Sequence, residues 1–195
     1  MTKVLLTAAA AALFALPTVA GAQALPTPVV AVVDVQKAMT TCNACKTALG
    51  QLEAQLKGLK SLQTSLEGPL QTEARSIQTA AAALNGKPAD AALSNRVEAF
   101  EKKQADAQRQ LQSREQSFQR NRTYVLQQIN QKMEPVLSGV LARRNATVML
   151  DSGSVVRFAP AIDVTNDVIA GLNTSLTSVA TTAPAQAAAA APKGR

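Results

Sequence analysis

Two helical stretches with the same heptad spacing, each about fifty residues long and separated by one dense turn, leave this chain few folds to adopt. With Leu49 at position a, the a/d seam runs Leu49, Leu52, Leu56, Leu59, Gln63, Leu66, Leu70, Glu73, Ile77, Ala80 and Leu84. Nine of these eleven are apolar, at the alternating gaps of three and four that keep one stripe against a partner helix. The second seam is Leu93, Val97, Phe100, Gln104, Ala107, Leu111, Arg114 and Phe118. Past Phe118 the frame slips by one residue, as at a stutter, and resumes at Leu126, Ile129, Met133, Val136 and Val140. Between the stretches, Asn85-Gly86-Lys87-Pro88-Ala89-Asp90 is a turn. Residues 35–84 and 91–144 therefore fold back on one another as an antiparallel hairpin, about 75 Å long at ~1.5 Å per residue. Ile77 then lies near Val97 or Glu98, Leu49 lies near Leu126, and the chain returns to its starting point.

What meets at that starting point reads as β structure. Val29–Val33 is a short β-branched run closed by Asp34, a helix N-cap. After the arm, Ala146–Leu150 and Val155–Phe158 read as two strands joined by a hairpin turn at Asp151–Ser154, and Asp163 opens a short closing helix through about Leu172. So small a body buries too little surface to anchor a long arm, and its strand edges are uncovered in a monomer. The expected fold class is thus α+β, a helical-hairpin tentacle (35–144, tip at 85–90) on a small β-body (25–34 and 145–173) completed by oligomerisation. Within the arm, Gly68-Pro69 is a candidate hinge, because proline removes one backbone donor and clashes with the preceding turn.

The two ends have their own signatures. Lys3, the apolar stretch Val4–Leu16 and Ala22-Gln23-Ala24 form a secretory leader with cleavage expected after Ala24, which directs the mature chain to the periplasm or beyond. From Thr174 to Arg195 the Ala/Thr/Ser/Pro composition reads as a disordered tail.

Composition removes most catalytic chemistry. The chain has no His and only two Cys, so it lacks a His general base, a Ser–His or Cys–His pair and a full zinc ligand set. No enzyme activity, metal or cofactor is expected. Cys42-Asn43-Ala44-Cys45 is the one local motif with chemical potential. In an oxidising compartment it suits a disulfide across one helical turn; an inter-subunit bridge, free thiols and a redox pair are the alternatives.

Charge points to the kind of partner. Residues 91–144 carry ten Lys/Arg against five Asp/Glu, most of the net +7, with Lys102, Lys103, Arg109, Arg114, Arg120 and Arg122 the densest series. Such a helix attracts acidic chains and anionic lipid head groups, or is a solvated face with no partner. Specific nucleic-acid binding is not expected, since the basic residues lack aromatic stacking partners or a groove-reading motif. Nine Gln between 104 and 131 give this helix an uncharged, adaptable polar face.

The strand-into-helix opening Val30–Ala38, the run Met133-Glu134-Pro135-Val136-Leu137, and Val148-Met149-Leu150-Asp151 followed by Asp163-Val164-Thr165-Asn166-Asp167-Val168 together resemble the Skp (OmpH-like) family of periplasmic chaperones. The resemblance spans 29–173, with arms that are richer in Gln and Ala than is usual there. The Cys pair and the tail are additions to the family pattern. It implies a homotrimer with three tentacles around a cavity, acting without ATP as a holdase for unfolded outer-membrane proteins. Under that reading the client contacts on the arms are Leu66, Leu70, Ile77, Val97, Phe100, Leu111 and Phe118. The rival is a structural or adaptor coiled coil whose hairpin docks onto a folded envelope partner; a thiol oxidoreductase rests on the two cysteines alone.

Overall fold

Asp34 starts the first helix. Its carboxylate accepts from the Lys37 N–H at 2.7 Å, so strand β1 (Val30–Val33) passes into helix α1 (Val35–Thr41) without an intervening loop. In the computed structural model, which describes residues 27–185, three further helices follow: α2 (Asn43–Ala83), α3 (Ala91–Arg143) and α4 (Thr165–Ser175). The leader expected at 1–24 and the final tail residues 186–195 lie outside the described residues. No described helix is long and apolar enough to cross a membrane.

The hairpin forms as the heptads require. Asn85 (φ 48°) and Gly86 (φ 83°) turn the chain with left-handed backbone, and Asp90 caps α3 by accepting from the Leu93 N–H at 2.8 Å. Across the seam Arg96 reaches Ser76, Lys103 reaches Glu73, and Asn121 reaches Gln55. These pairs have the antiparallel register expected from the turn. At its far end α3 stops at Asn145 (φ 49°), where Ala146 N–H returns to Leu141 O at 3.0 Å and Asn145 N–H to Ala142 O at 3.1 Å.

The stutter falls elsewhere than expected. Val125 is fully buried and Leu126 only half-buried, so a clean seven-residue step joins Phe118 to Val125. The slip comes in the next two steps of four, through Ile129 to Met133, where α3 turns its stripe from α2 alone toward α4 as well.

The base holds the core. Val32, Ala38, Cys42, Cys45, Val125, Ile129, Val140, Val168 and Leu172 are almost wholly excluded from solvent, whereas farther up the arm, among the described residues, only Leu93 and Ala107 are buried, and less completely. β1 pairs in parallel with β2 (Val148–Asp151), register Val30 to Val148 through Val33 to Asp151. Parallel pairing needs a long connection between the two strands, and the arm supplies it. On its other edge β1 is bridged at Val32 to Asp163, with Val164 N–H donating to Val32 O at 2.8 Å.

Three sequence expectations need correction here. The β-hairpin after the arm does not form: Ser152–Ser154 is one 3₁₀ turn, Val155–Phe158 is not a strand, and a second 3₁₀ turn follows at Pro160–Ile162. Asp151 ends β2 because its carboxylate accepts from Val35 N–H at 3.3 Å, and the free edge of β1 is taken by the Asp163 segment. The helix expected from Val35 to Leu84 breaks at Cys42, whose extended backbone (φ −59°, ψ 146°) separates α1 from α2. The tail is also ordered well past Thr174. α4 runs to Ser175, Leu176 is buried, Val179 packs on the core, and residues 180–183 are hydrogen-bonded to the arm. Composition reports how little apolar surface such a segment carries, but the arm's amide side chains satisfy its backbone and hold it.

Candidate functional site

The arm is a two-helix seam, and two helices can bury only part of an a/d stripe. Leu66, Leu70 and Ile77 on α2, and Val97, Phe100, Leu111 and Phe118 on α3, are all half-buried. None is presented outright, yet each leaves part of an apolar side chain in water. α2 continues as a helix through Gly68 and Pro69. Proline has no N–H to offer the preceding turn, so this point of α2 is held by one bond fewer.

The basic series divides into two halves. Toward the tip, Lys103 pairs with Glu73 across the seam at 2.8 Å, Lys102 with Glu98 at 2.6 Å, and Arg109 with Asp106. Toward the base, Arg114, Arg120 and Arg122 are exposed and have no carboxylate partner among the described residues, Arg120 bonding Ser117 Oγ at 2.9 Å instead. Net positive field is therefore concentrated on the base-side half of α3. Arg114 and Arg120 line a cleft of about 690 Å³ between the helices, together with Leu59, Leu62, Phe118 and Ala183.

Directly below this cleft the arm grips the tail through primary amides. Gln128 donates from Nε2 to Ala180 O at 2.8 Å and accepts at Oε1 from Ala180 N–H at 3.0 Å. Gln55 Nε2 donates to Thr181 O at 3.0 Å, and Asn121 Oδ1 accepts from Ala183 N–H at 2.8 Å. Asn121 Nδ2 in turn donates to Gln55 Oε1 at 2.9 Å, while Thr181 Oγ1 donates to Gln51 Oε1 at 2.6 Å. The sequence reading singled out Gln128 only as one of the Gln-rich face and passed over Gln51, Gln55 and Asn121. Their spacing was the available signal: Gln51 and Gln55 are one turn apart on α2, and Asn121 and Gln128 are two turns apart on α3.

Cys42 and Cys45 are bonded to each other, Sγ–Sγ 2.03 Å, and both are buried. The bridge does not span a turn inside one helix. It ties the cap residue to the first turn of α2, where Asn173 Oδ1 from α4 also accepts from Asn43 N–H at 2.8 Å. Beside it, Thr165 links the body together: its hydroxyl accepts from Asp34 N–H at 2.9 Å, and its own N–H donates to Asp163 Oδ1 at 2.9 Å. Hydrogen bonds from Thr165 hold the Asp163 carboxyl below the usual carboxylate range, with Lys37 adding a smaller pull. These groups brace the base. Among the described residues no cluster of metal-ligating side chains is present.

Comparison with known proteins agrees with this architecture. No curated protein matches the sequence. A crystal structure from Caulobacter crescentus, described as a candidate outer membrane chaperone (OmpH-like), shares the fold at a TM-score of 0.64. The alignment is 20% identical and covers 80% of this chain and 90% of that one. The model of the family described as Outer membrane protein (OmpH-like) matches residues 29–172, from the residue before β1 to the middle of α4. A match over that much of the chain shows its place: this protein belongs to the OmpH-like outer membrane protein family.

Proposed function

We propose that this protein is an ATP-independent holdase of the periplasm, cleaved after Ala24, that binds unfolded outer-membrane proteins between helical arms and keeps them from aggregating. The observation that carries the reading is the arm itself. It is a free-standing two-helix seam on which Leu66, Leu70, Ile77, Val97, Phe100, Leu111 and Phe118 stay half-exposed, edged by Arg114, Arg120 and Arg122, which have no carboxylate partner among the described residues. Such a surface offers many weak apolar contacts plus electrostatic steering, which suits a chain without fixed structure and gives avidity without a single deep site. The same positive field suits anionic lipid head groups at the membrane where clients are delivered.

Three arms around a cavity require a homotrimer, and the base supports one. Val148, Leu150 and Val156 expose apolar side chains beside a two-stranded sheet too small to stand alone. Bending at Gly68-Pro69 would let the arms widen around larger clients. No step calls for catalysis, and the motif Cys42–Cys45 serves as a structural tie.

The test is to dilute a urea-unfolded outer-membrane β-barrel protein into the mature chain and to run the mixture by size-exclusion chromatography with light scattering. A trimer alone, and a soluble trimer–client complex in the mixture, is the expected result. A stable oligomer beside an aggregated client would overturn the holdase reading and favour an adaptor that docks onto a folded envelope partner.

A further inference from the structure

The tail's docking site holds its segment mainly by the backbone. A primary amide offers one acceptor and one N–H donor pair side by side, so it can engage the N–H and C=O of one extended residue as a neighbouring strand would. Gln128 does this to Ala180, and Gln55 and Asn121 continue the ladder to Thr181 and Ala183; of the segment's side chains, the Thr181 hydroxyl is bonded and Val179 packs on the core. Ala180 itself stays exposed. A ladder of this kind places almost no demand on sequence.

Two further observations separate it from a fixed structural strap. Every bond Gln128 makes to the tail is open to solvent, so water can replace it as the segment leaves. The groove also does not end with the segment: beyond Ala183 it opens into the cleft lined by Leu59, Leu62 and Phe118, with Arg114 and Arg120 at its sides. That space accommodates larger side chains than the tail's alanines and threonines supply.

We propose that the groove formed by Gln51, Gln55, Asn121 and Gln128 is a binding site for extended polypeptide, which residues 179–183 occupy in cis and an extended segment of an unfolded client takes in competition with them. This rests on the holdase reading, and it adds a defined subsite and an internal competitor to it. A client enters by replacing the tail's backbone on the same amides and by placing its bulkier apolar side chains in the adjoining cleft. The tail keeps the groove satisfied when no client is present. If it occupies the groove about nine-tenths of the time, the apparent affinity for a client is about tenfold below the intrinsic one.

Proline substitution tests this in the full mature chain without altering the groove. Ala180→Pro with Ala183→Pro removes the two N–H groups that Gln128 and Asn121 bind. Two probes are titrated by fluorescence anisotropy: a labelled peptide copying residues 177–185, and an unfolded outer-membrane β-barrel protein. Amide exchange reports release of the tail. The proline variant is expected to bind both probes several-fold to about tenfold more tightly than the wild type. A peptide carrying the same two prolines should not bind. Adding Asn121→Ala and Gln128→Ala to the proline variant should abolish peptide binding while circular dichroism shows the arm still helical, although the loss of the Asn121–Gln55 seam bond lowers the unfolding midpoint slightly. Overturning results are a freed tail with client affinity unchanged, which makes the segment a strap, or a 177–185 peptide that binds neither protein. If neither protein binds the client, the holdase reading fails, and the peptide titration still decides whether the groove accepts extended chain.

Discussion

Gly171→Ala sets helix propensity against packing, and the two predict opposite signs. Gly171 lies inside α4, where Ala is favoured over Gly by about 1 kcal/mol in an open helix. A Cβ at this position would stand 2.7 Å from Val136 Cγ1, and 3.6 and 3.7 Å from Val136 Cγ2 and Cβ. Carbon atoms pack best at about 3.5–4.0 Å, so the nearest contact falls short by nearly an ångström. Val136 does not swing aside freely: it is β-branched, helical and buried, and a valine in a helix strongly prefers one χ1 rotamer. α4 must therefore back away from α3, loosening Val168 and Leu172 along with it. Overpacking of this kind costs about 1–3 kcal/mol, which leaves a net destabilisation on the order of 1 kcal/mol after the propensity gain. Urea unfolding followed by circular dichroism, at one fixed protein concentration, would read this as a lower midpoint with an unchanged slope. Val136→Ala should cost on the order of 2 kcal/mol alone, yet combined with Gly171→Ala it should recover about 1 kcal/mol as the new methyl fills the vacated space. A single Gly171→Ala variant more stable than wild type would refute the close α3–α4 contact.

Four other expectations follow from the base and the arm. Replacing both Cys42 and Cys45 with Ala, or adding reductant to the wild type, should lower unfolding stability by about 2 kcal/mol, the loop-entropy value for so short a bridge, while client binding is retained; stability indifferent to reductant would count against the bridge. Thr165→Val leaves the Asp34 N–H without its acceptor and should cost about 1–3 kcal/mol by urea titration, with Thr165→Ser close to wild type. Because the Asp163 carboxyl is depressed below its ordinary 3.8, its contribution is complete above that value and lost as pH falls through the lower folded value. Urea midpoints measured from pH 7 downward should decline only in that acid window, and less so in Asp163→Asn. Neutralising Arg114, Arg120 and Arg122 to Gln should flatten the salt dependence of client binding, whereas neutralising both members of the pairs Lys102–Glu98, Lys103–Glu73 and Arg109–Asp106 should leave it nearly intact, since each pair carries no net charge; equal effects from both sets would show that the field is not concentrated on the base-side half.

The arm was legible from periodicity alone because its information is local. Heptad spacing, a six-residue turn and the Asp90 cap each act over one or two helical turns, and together they predict the register that Glu73–Lys103 and Gln55–Asn121 display. The strand-to-helix passage at Asp34 is legible for the same reason. The OmpH-like resemblance came from short runs at the two ends of the fold, and it is there that the chain's parts converge.

Pairings between distant residues decided the rest. Val155–Phe158 has the composition of a strand, but a strand exists only where it pairs with a neighbour, and the 3₁₀ turn at Ser152–Ser154 leads the chain away from β2 without a bridge back to it. Residues 176–183 have the composition of a coil, yet Leu176 is buried and Gln55, Asn121 and Gln128 bind the backbone that follows. Cys42 sits in a helical run, and its break becomes intelligible only with Asn173 of α4 capping the next helix. In the last two cases the energy comes from groups more than fifty residues away in sequence or on another element, which no window along the chain contains. The amino-acid sequence by itself determined the tentacle, its charge and its family; the tertiary structure decided which cations keep their field, where the core lies, and that the tail occupies a groove made of amides.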